Sequence, residues 1–295
     1  MAEPGTPPVI GIIGGSGIYE IEGLKSAEWR RVDSPFGAAS DALLFGELDG
    51  QRLVFLPRHG RGHKLPPSGL NFRANIDALK RAGVTEIVSL SAVGSLREDL
   101  APGTFVIVDQ FIDRTFAREK SFFGAGMVAH VSVADPVCAR LGDHLEVAGG
   151  ELGLPLRRAG TYVVMEGPQF STRAESQLYR SWGCDVIGMT NMPEAKLARE
   201  AEICYATVAM VTDYDCWHDA HAHVTVDQVV KILIDNADKA RALVKQVVPK
   251  LSGRHSPCTM GCHHALDAAL ITHPEARDPA LLACLDAVAG RLLGA

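Results

Sequence analysis

The sequence predicts a single α/β domain in which helices flank a central mixed sheet. Short uncharged segments typical of buried strands alternate with helical segments, and most of the strands run into Gly, Ser, Thr or Asp. This alternation is typical of sheets with largely parallel strands. No internal repeat or low-complexity linker divides residues 9–250, and 295 residues suffice for a sizeable core. We therefore expect a tail at residues 1–8 and one domain over residues 9–295, including a C-terminal helix.

The individual elements follow from composition and periodicity. Asp49-Gly50 separates two apolar segments and predicts a β-hairpin. Asp135-Pro136 is typical of a capped helix start with proline in the first turn. We expect strands at 9–13, 43–48, 52–56, 86–91, 104–109, 161–165, 185–189 and 205–212, and helices at 71–82, 133–152, 173–182, 193–201, 226–248 and 279–293.

The composition argues against several classes of partner. The net charge of −6 and the pI near 6.0 give no electrostatic basis for binding nucleic acid. No uninterrupted apolar stretch is long enough to span a bilayer, and no secretory signal is visible. Seven cysteines at irregular spacing indicate reduced thiols. We expect a cytoplasmic protein that binds neither nucleic acid nor a membrane.

Two carboxylates follow one of the predicted buried strands. Residues 205–212 are uncharged, and Asp213 and Asp215 come directly after them. If the chain stays extended, both side chains lie on one side of the strand, at the edge where ligands bind in α/β sheets. The alternative is that one of them caps the helix near Thr225 or a preceding turn. These residues alone leave both interpretations open.

Four other strand ends carry groups that suit an anion. Residues 14–17 can form a nest of backbone amides, although they match neither the P-loop nor the dinucleotide motif. Residues 57–63 contain two arginines and two histidines, which suit phosphate unless the turn is simply solvated. Residues 91–95 offer free amides, and Thr190 precedes a helix start that favours anions. Together these ends predict one phosphate held by several loops.

The turn at residues 166–171 carries an aromatic side chain. Phe170 can stack on a flat base, whereas an isolated Phe is more often part of the core.

The C-terminal segment contains potential metal ligands at Cys258, Cys262, His263 and His264. Their spacing fits no standard zinc pattern, and no second ligand pair follows them. We therefore expect no bound metal.

Seven motifs between residues 9 and 248 together point to a known family. They are Gly14-Gly-Ser-Gly17, Pro57-Arg-His-Gly60, Ser91-Ala-Val-Gly-Ser-Leu-Arg97, Asp109-Gln-Phe-Ile-Asp-Arg-Thr115, Glu166-Gly-Pro-Gln-Phe-Ser171, Gly188-Met-Thr-Asn-Met-Pro-Glu194 and Thr212-Asp-Tyr-Asp-Cys-Trp217. On these residues the chain resembles the purine nucleoside phosphorylase superfamily and, within it, the methylthioadenosine phosphorylases. The resemblance implies a mixed sheet that is partly barrel-like.

The resemblance also implies roles for individual residues. Asp213 and Asp215 would face the N7 and N6 edge of a purine, with Asp213 as the proton donor. Phosphate would be held by Ser16, Arg58, His59, Ser91, Ala92 and Thr190. Phe170 would pack on the base, Met189 on the ribose, and Val226, Val229, Val230 and His63 around the 5′ substituent, with His130 supplied by a neighbouring subunit.

Two positions distinguish a 6-aminopurine from a 6-oxopurine. The 6-oxopurine enzymes of the superfamily typically carry Glu after the stacking Phe and Asn at the position of Asp213, whereas this chain has Ser171 and Asp213. A 6-amino group is a hydrogen-bond donor, so a carboxylate acceptor suits it better than an amide.

The implied reaction is reversible phosphorolysis of 5′-methylthioadenosine to adenine and 5-methylthioribose 1-phosphate, a step of methionine and purine salvage. Inorganic phosphate is then a co-substrate, no cofactor is expected, and the enzyme is a homotrimer or a dimer of trimers. The alternatives are a phosphorylase for 6-oxopurine nucleosides or methylthioinosine, a hydrolytic nucleosidase, and a catalytically silent binding module.

Overall fold

The computed structural model describes residues 7–15, 17–218, 226–251 and 258–294, with the backbone alone for 226–230. The strands are β1 (Ile10–Gly14), β2 (Lys25–Arg30), β3 (Leu43–Leu48), β4 (Gln51–Pro57), β5 (Glu86–Ser95), β6 (Phe105–Ile107), β7 (Gln110–Arg114), β8 (Leu156–Arg158), β9 (Thr161–Met165), β10 (Val186–Gly188) and β11 (Cys204–Tyr214). The helices are α1 (Phe72–Arg81), α2 (Ala139–Glu151), α3 (Arg173–Ser181), α4 (Asn191–Glu200), α5 (Val226–Leu251), α6 (Pro279–Cys284) and α7 (Gly290–Leu293).

One mixed sheet contains these strands, and β5 lies at its centre. The order β2-β3-β4-β1-β5-β10-β9-β7 forms the main path, while β11 pairs with β5 and continues through β6 to β8. Strands β1, β4, β5 and β11 are parallel, so their carboxyl ends meet at one edge. The predicted α/β class with a mixed sheet is confirmed, but the described strands do not close into a barrel.

The two faces of the sheet are covered by different helices. Along β1, Ile10 and Ile12 join a core with α2 and α5, whereas Ile13 joins a core with α1 and α4. Alternate residues of a strand point to opposite faces, so both faces of the central strands are buried. None of the helices in the described ranges is long and apolar enough to cross a membrane.

The predicted hairpin is confirmed between β3 and β4. These strands are antiparallel, with Leu48 opposite Gln51. Asp49 and Gly50 have φ angles of 51° and 80°, as the mirror-image turns that match strand twist require.

Several predicted boundaries were wrong for identifiable reasons. Strand β2 was missed because its sequence is charged and almost entirely exposed, and the short strands β7 and β8 were also missed. Helix α2 begins at Ala139 because Cys138 is extended and its N–H donates to the carbonyl of Tyr205 at 2.7 Å. The predicted helix at 279–293 is two short helices, α6 and α7.

Candidate active site

A cavity of about 560 Å³ opens where the carboxyl ends of β1, β4, β5 and β11 meet. Helix α5 and the start of α4 form its other walls. The structure brings together ten of the side chains predicted from the sequence at this cavity, namely Arg58, His59, His63, Ser91, Ala92, Phe170, Met189, Thr190, Asp213 and Asp215.

Of the five remaining predicted residues, the structure describes the side chain of His130 alone. Ser16 and the side chains of Val226, Val229 and Val230 lie outside the described residues. His130 is exposed and lies in a separate surface pocket with Lys120 and Lys196.

Arg58 forms the buried floor at one end of the cavity. Its Nε and Nη2 donate to the two carboxylate oxygens of Glu194 at 2.8 and 3.1 Å. Nη2 also donates to Ser89 Oγ at 2.6 Å, and Nη1 donates to the Leu90 carbonyl at 2.9 Å. Burial would lower the pKa of Arg58, but the Glu194 carboxylate outweighs it and the pKa rises. The guanidinium is therefore a cation paired with a carboxylate, and one Nη1 hydrogen has no acceptor among the described residues.

A network of buried polar side chains supports this ion pair. Glu194 Oε1 accepts hydrogen bonds from Ser89 Oγ at 2.6 Å and from Tyr205 Oη at 2.8 Å. Asn191 Nδ2 donates to Tyr205 Oη at 2.5 Å and to Ser89 Oγ at 3.1 Å. A buried ion pair is stable only when its remaining hydrogen-bonding groups are satisfied, so this network fixes Arg58 in one position.

His59 is present as a neutral ring. Its Nδ1 lies 2.8 Å from the carbonyl of Leu65, which can only accept, so Nδ1 carries the hydrogen. Burial lowers the pKa of His59 to about 4, and the charge of Arg58 adds to the effect. The ring stacks on His63 at a centroid distance of 4.3 Å. Near neutral pH, His59 Nε2 is consequently a hydrogen-bond acceptor rather than a cationic donor.

Three hydroxyl groups meet beside Arg58, and those of Ser91 and Thr190 belong to residues that line the cavity. Ser91 Oγ lies 3.0 Å from Thr190 Oγ1 and 3.2 Å from Tyr162 Oη. A Cβ at Gly188 would collide with the Tyr162 hydroxyl, so this glycine is required for the close packing. The sequence did not reveal Tyr162, because nothing in its strand distinguishes it from a core aromatic.

The carboxyl groups of Asp213 and Asp215 lie together at the end of β11. The register of β11 against β5 shifts between Val211 and Asp213, which places Asp213 opposite Gly94. A Cβ at Gly94 would stand 3.3 Å from Asp213 Oδ1 and 3.5 Å from the Cβ of Asp215. Both acids line the cavity, and within the described residues their carboxylates accept from side-chain hydroxyls rather than from the N–H groups of a helix start.

The two acids differ in their surroundings. Burial raises the pKa of Asp213 to about 6, although Thr212 Oγ1 donates to its Oδ2 at 2.7 Å, and the nearby Asp215 raises the pKa further. Asp215 Oδ2 accepts a 2.7 Å hydrogen bond from Ser171 Oγ. Near neutrality Asp213 can therefore hold or release a proton, which is the property required of a general acid.

Arg118 was not predicted, yet it fixes the wall that carries Met189. It is almost fully buried and donates from Nη1 to the carbonyls of Met189 and Met192 at 2.7 and 2.6 Å. Its Nη2 donates to the carbonyl of Glu166 at 2.6 Å. In the sequence, Arg118 lies in a charged stretch that is typical of a solvated loop, so only its three-dimensional contacts reveal this function.

The sequence also missed the apolar side of the cavity. Leu233, Ile234 and Ala237 of α5 line it together with Ile18 and Met210. Phe170 stands at the rim with its side chain 85% exposed, so one face of the ring is free to contact a ligand.

Comparisons with known proteins agree with this fold and this set of motifs. The family model described as "Phosphorylase superfamily" matches residues 9–249. A relative from Rhodospirillum rubrum named S-methyl-5′-thioadenosine phosphorylase is 66% identical over 294 residues, which are 100% of both chains. A protein of the same name from Bradyrhizobium diazoefficiens is 61% identical, over 98% of this chain and 99% of its own.

The solved structures that are similar to this chain are also methylthioadenosine phosphorylases. A methylthioadenosine phosphorylase from an Antarctic soil metagenomic library superimposes with a TM-score of 0.89 at 47% identity, covering 96% of this chain and 99% of its own. A methylthioadenosine phosphorylase from Schistosoma mansoni, solved with tubercidin, gives a TM-score of 0.77 at 38% identity, over 83% and 92% of the two chains. The family resemblance seen in the sequence is confirmed, and the chain belongs to the phosphorylase superfamily.

Proposed function

We propose that this chain catalyses the reversible phosphorolysis of 5′-methylthioadenosine to adenine and 5-methylthioribose 1-phosphate. The observation that carries the proposal is one cavity with two chemically different ends. Arg58 and two hydroxyl groups lie at one end, and the half-buried carboxyl of Asp213, with its pKa near 6, lies at the other. The names of the Rhodospirillum rubrum and Antarctic soil relatives support the choice of nucleoside.

Phosphate binds at the Arg58 end in this mechanism. The free Nη1 hydrogen of Arg58 and the hydroxyls of Ser91 and Thr190 donate to phosphate oxygens, together with backbone amides near Ala92. The neutral His59 accepts from the hydroxyl of a hydrogen phosphate ion through Nε2. Ser16, in the glycine-rich turn after β1, is assigned to the same site by the family resemblance.

Bond cleavage separates charge between the two ends of the cavity. A phosphate oxygen forms a bond to C1′ as the C1′–N9 bond breaks, and the bonding electron pair leaves with the purine. Positive charge on the ribose is stabilised by the adjacent anion, which is catalysis by positioning and electrostatics. Asp213 transfers its proton to N7 of the departing adenine, while Asp215 accepts from the 6-amino group.

The base and the ribose are held by the remaining walls. Phe170 stacks on the purine and Met189 packs on the ribose, which is why Arg118 matters for substrate binding. The methylthio group lies against the apolar side of the cavity, where Leu233, Ile234 and Ala237 extend the contact surface assigned to Val226, Val229 and Val230. An apolar pocket favours methylthio over hydroxyl by only a modest factor, so adenosine is a slower second substrate.

Phosphate-dependent turnover of 5′-methylthioadenosine, methylthioinosine and inosine tests the reaction directly. We expect adenine release from methylthioadenosine to require phosphate, with kcat/KM at least tenfold higher than for the two 6-oxopurine nucleosides. Undiminished adenine release without phosphate would indicate a hydrolytic nucleosidase. A preference for inosine or methylthioinosine would favour the alternative phosphorylase, and binding without turnover would indicate a silent module.

The proposed enzyme is a cytoplasmic homotrimer, or a dimer of trimers, that needs no cofactor. His130 is exposed and lies apart from the cavity of its own chain, as expected if it completes the 5′ pocket of a neighbouring subunit. Phe116 is 82% exposed, and its N–H donates to Glu166 Oε2 at 2.6 Å, beside the turn that carries Phe170. This places an exposed aromatic side chain near the cavity rim, where a subunit contact is expected.

Light scattering coupled to size-exclusion chromatography tests the assembly. We expect the mass of three or six chains, and a smaller species for Phe116→Asp. A wild-type monomer with full activity would contradict the role assigned to His130.

A further inference from the structure

Four buried cysteines from separate parts of the chain meet away from the cavity. The Sγ atoms of Cys138, Cys204, Cys258 and Cys262 all lie within 4.8 Å of one another. None of these residues lines the active-site cavity. We propose that they form a tetrahedral thiolate site for a structural zinc ion.

The spacing of the sulfur atoms fits a metal better than disulfide bonds. With a Zn–S bond of about 2.3 Å, the sulfurs of a tetrahedral site are about 3.8 Å apart. Cys258 Sγ lies 3.4 Å from the Sγ atoms of both Cys138 and Cys262, so an outward shift of a few tenths of an ångström admits the ion. A disulfide needs about 2.05 Å and joins two sulfurs exclusively, whereas here each sulfur is near three others.

Three segments of the fold bring the four ligands together. Cys138 precedes α2, and its N–H bond to the Tyr205 carbonyl holds it beside Cys204, the first residue of β11. A turn ending at Gly261, with φ of 64°, brings Cys258 and Cys262 together. The second ligand pair therefore lies far upstream of the C-terminal pair, and such a separation hides a site from motif spacing. The expectation of no metal considers Cys258, Cys262, His263 and His264 alone and omits this upstream pair.

Two guanidinium groups lie against sulfur atoms of such a site, one of them already paired with the Glu86 carboxylate. Four thiolates and one Zn²⁺ carry a net charge of −2. Arg199 Nη1 lies 3.1 Å from Cys262 Sγ, and Arg140 Nη2 lies 3.8 Å from Cys204 Sγ. Donors of this kind orient and stabilise thiolate ligands. The softness of four sulfur ligands selects zinc over magnesium or calcium.

The ion would fasten the C-terminal segment to the domain. Leu266, Leu285 and Val288 of that segment are buried in the core with α1 and α4. The carbonyl of Ala269 accepts a 2.8 Å hydrogen bond from the N–H of His130. Metal binding at a site that unfolding destroys adds its free energy to that of the fold. Zinc therefore stabilises the segment against which the His130 loop rests.

Metal analysis of the full-length chain tests the site. The protein is produced without a polyhistidine tag in zinc-supplemented medium. We expect inductively coupled plasma mass spectrometry to find one zinc ion per chain. Cys258→Ser and Cys262→Ser should each lose at least nine-tenths of the zinc, whereas Cys284→Ser, which alters a cysteine outside the cluster, should keep it.

Cobalt substitution of the wild-type chain gives a readout that does not depend on the folding of any variant. We expect intense thiolate-to-cobalt charge-transfer absorption and the visible bands of tetrahedral Co²⁺. The proposal is overturned if wild-type protein neither retains zinc nor gives this spectrum on reconstitution. A disulfide among the four cysteines in non-reducing peptide mapping, or zinc retained in both serine variants, overturns it as well.

Discussion

The carboxyl of Asp213 lies against the backbone of Gly94, so that a Cβ at position 94 would stand 3.3 Å from Asp213 Oδ1. The same Cβ would lie 3.2 Å from Ile187 Cγ2, so it could not relieve the contact by shifting toward Ile187. A glycine in the central strand thus determines where the proposed proton donor stands.

Gly94→Ala is expected to lower kcat/KM for methylthioadenosine by about tenfold to a hundredfold, because a small misplacement of a catalytic group has effects of this size. Steady-state kinetics measures the loss. Gly150→Ala is the matched control, since a Cβ at Gly150 has no heavy atom within 4 Å. Unchanged kinetics of Gly94→Ala would show that Asp213 is not positioned by this contact.

The raised pKa of Asp213 predicts a distinctive pH dependence. The protonated acid is the active form, and its pKa is about 6, so its contribution is complete at lower pH and declines above about pH 6. Asp213→Asn lacks this group and should be slower by about a hundredfold at about pH 5.5. The ratio of wild-type to variant kcat/KM should then fall as the pH rises.

Taking the ratio at saturating phosphate removes the titration of phosphate itself, which is common to both proteins. A ratio that stays constant from about pH 5 to about pH 8 would rule out Asp213 as the proton donor.

The same acid should make the fold less stable above its pKa. The folded pKa of about 6 exceeds the ordinary value of 3.8, so the protonated carboxyl favours the fold below pH 3.8 and this contribution is lost as the pH rises to about 6. Asp213→Asn is expected to raise the free energy of unfolding by about 3 kcal/mol above about pH 7 and hardly at all near pH 4. Urea denaturation at the two pH values measures the difference.

Asp113→Asn is a control of opposite sign. Although burial would raise its pKa, hydrogen bonds led by Lys196 lower the pKa of Asp113 to about 2, so its stabilising contribution is present above pH 3.8 and lost as the pH falls to about 2. This variant should be destabilised near neutral pH, and stabilisation of both variants would contradict the electrostatic explanation.

Arg118→Met should reduce both stability and substrate binding. It removes the donor to the carbonyls of Met189 and Met192 and leaves the Glu166 carbonyl with the Ser68 hydroxyl alone, and each buried unpaired group costs about 1–3 kcal/mol. We expect a loss of at least about 3 kcal/mol in the free energy of unfolding and a higher KM for the nucleoside. Chemical denaturation and kinetics measure the two effects, and Arg31→Met, at an exposed position, is the control. A change in stability with KM unaltered would confine Arg118 to a structural role.

Much of the fold and of the cavity could be predicted because the informative residues lie at strand ends. Asp213 and Arg58 each lie at the end of an apolar strand, and parallel strands bring their carboxyl ends to one edge. Thr190 follows β10, which is antiparallel to β5, so the parallel-strand rule alone does not place it there. The exposed edge strand β2 could not be predicted, since its charged residues lack the pattern of a buried strand. Contacts between residues far apart in the chain could not be predicted either. Arg118 donates to carbonyls some fifty to seventy residues away, and such contacts produce no periodic pattern in the sequence.

The pairing of Arg58 with Glu194 has a consequence for the nucleophile. Because the guanidinium charge is already balanced by a carboxylate at 2.8 Å, phosphate entering the cavity meets a wall that is nearly electroneutral and is held mainly by directed hydrogen bonds. The phosphate oxygen therefore keeps its electron density for attack on the electron-poor sugar carbon.

Phosphate affinity that comes from directed hydrogen bonds is weakly screened by added salt. The KM for phosphate should therefore change less than about twofold between low and physiological ionic strength, which initial-rate measurements can check. An enzyme built on this arrangement would saturate with phosphate equally well in dilute and in salty surroundings.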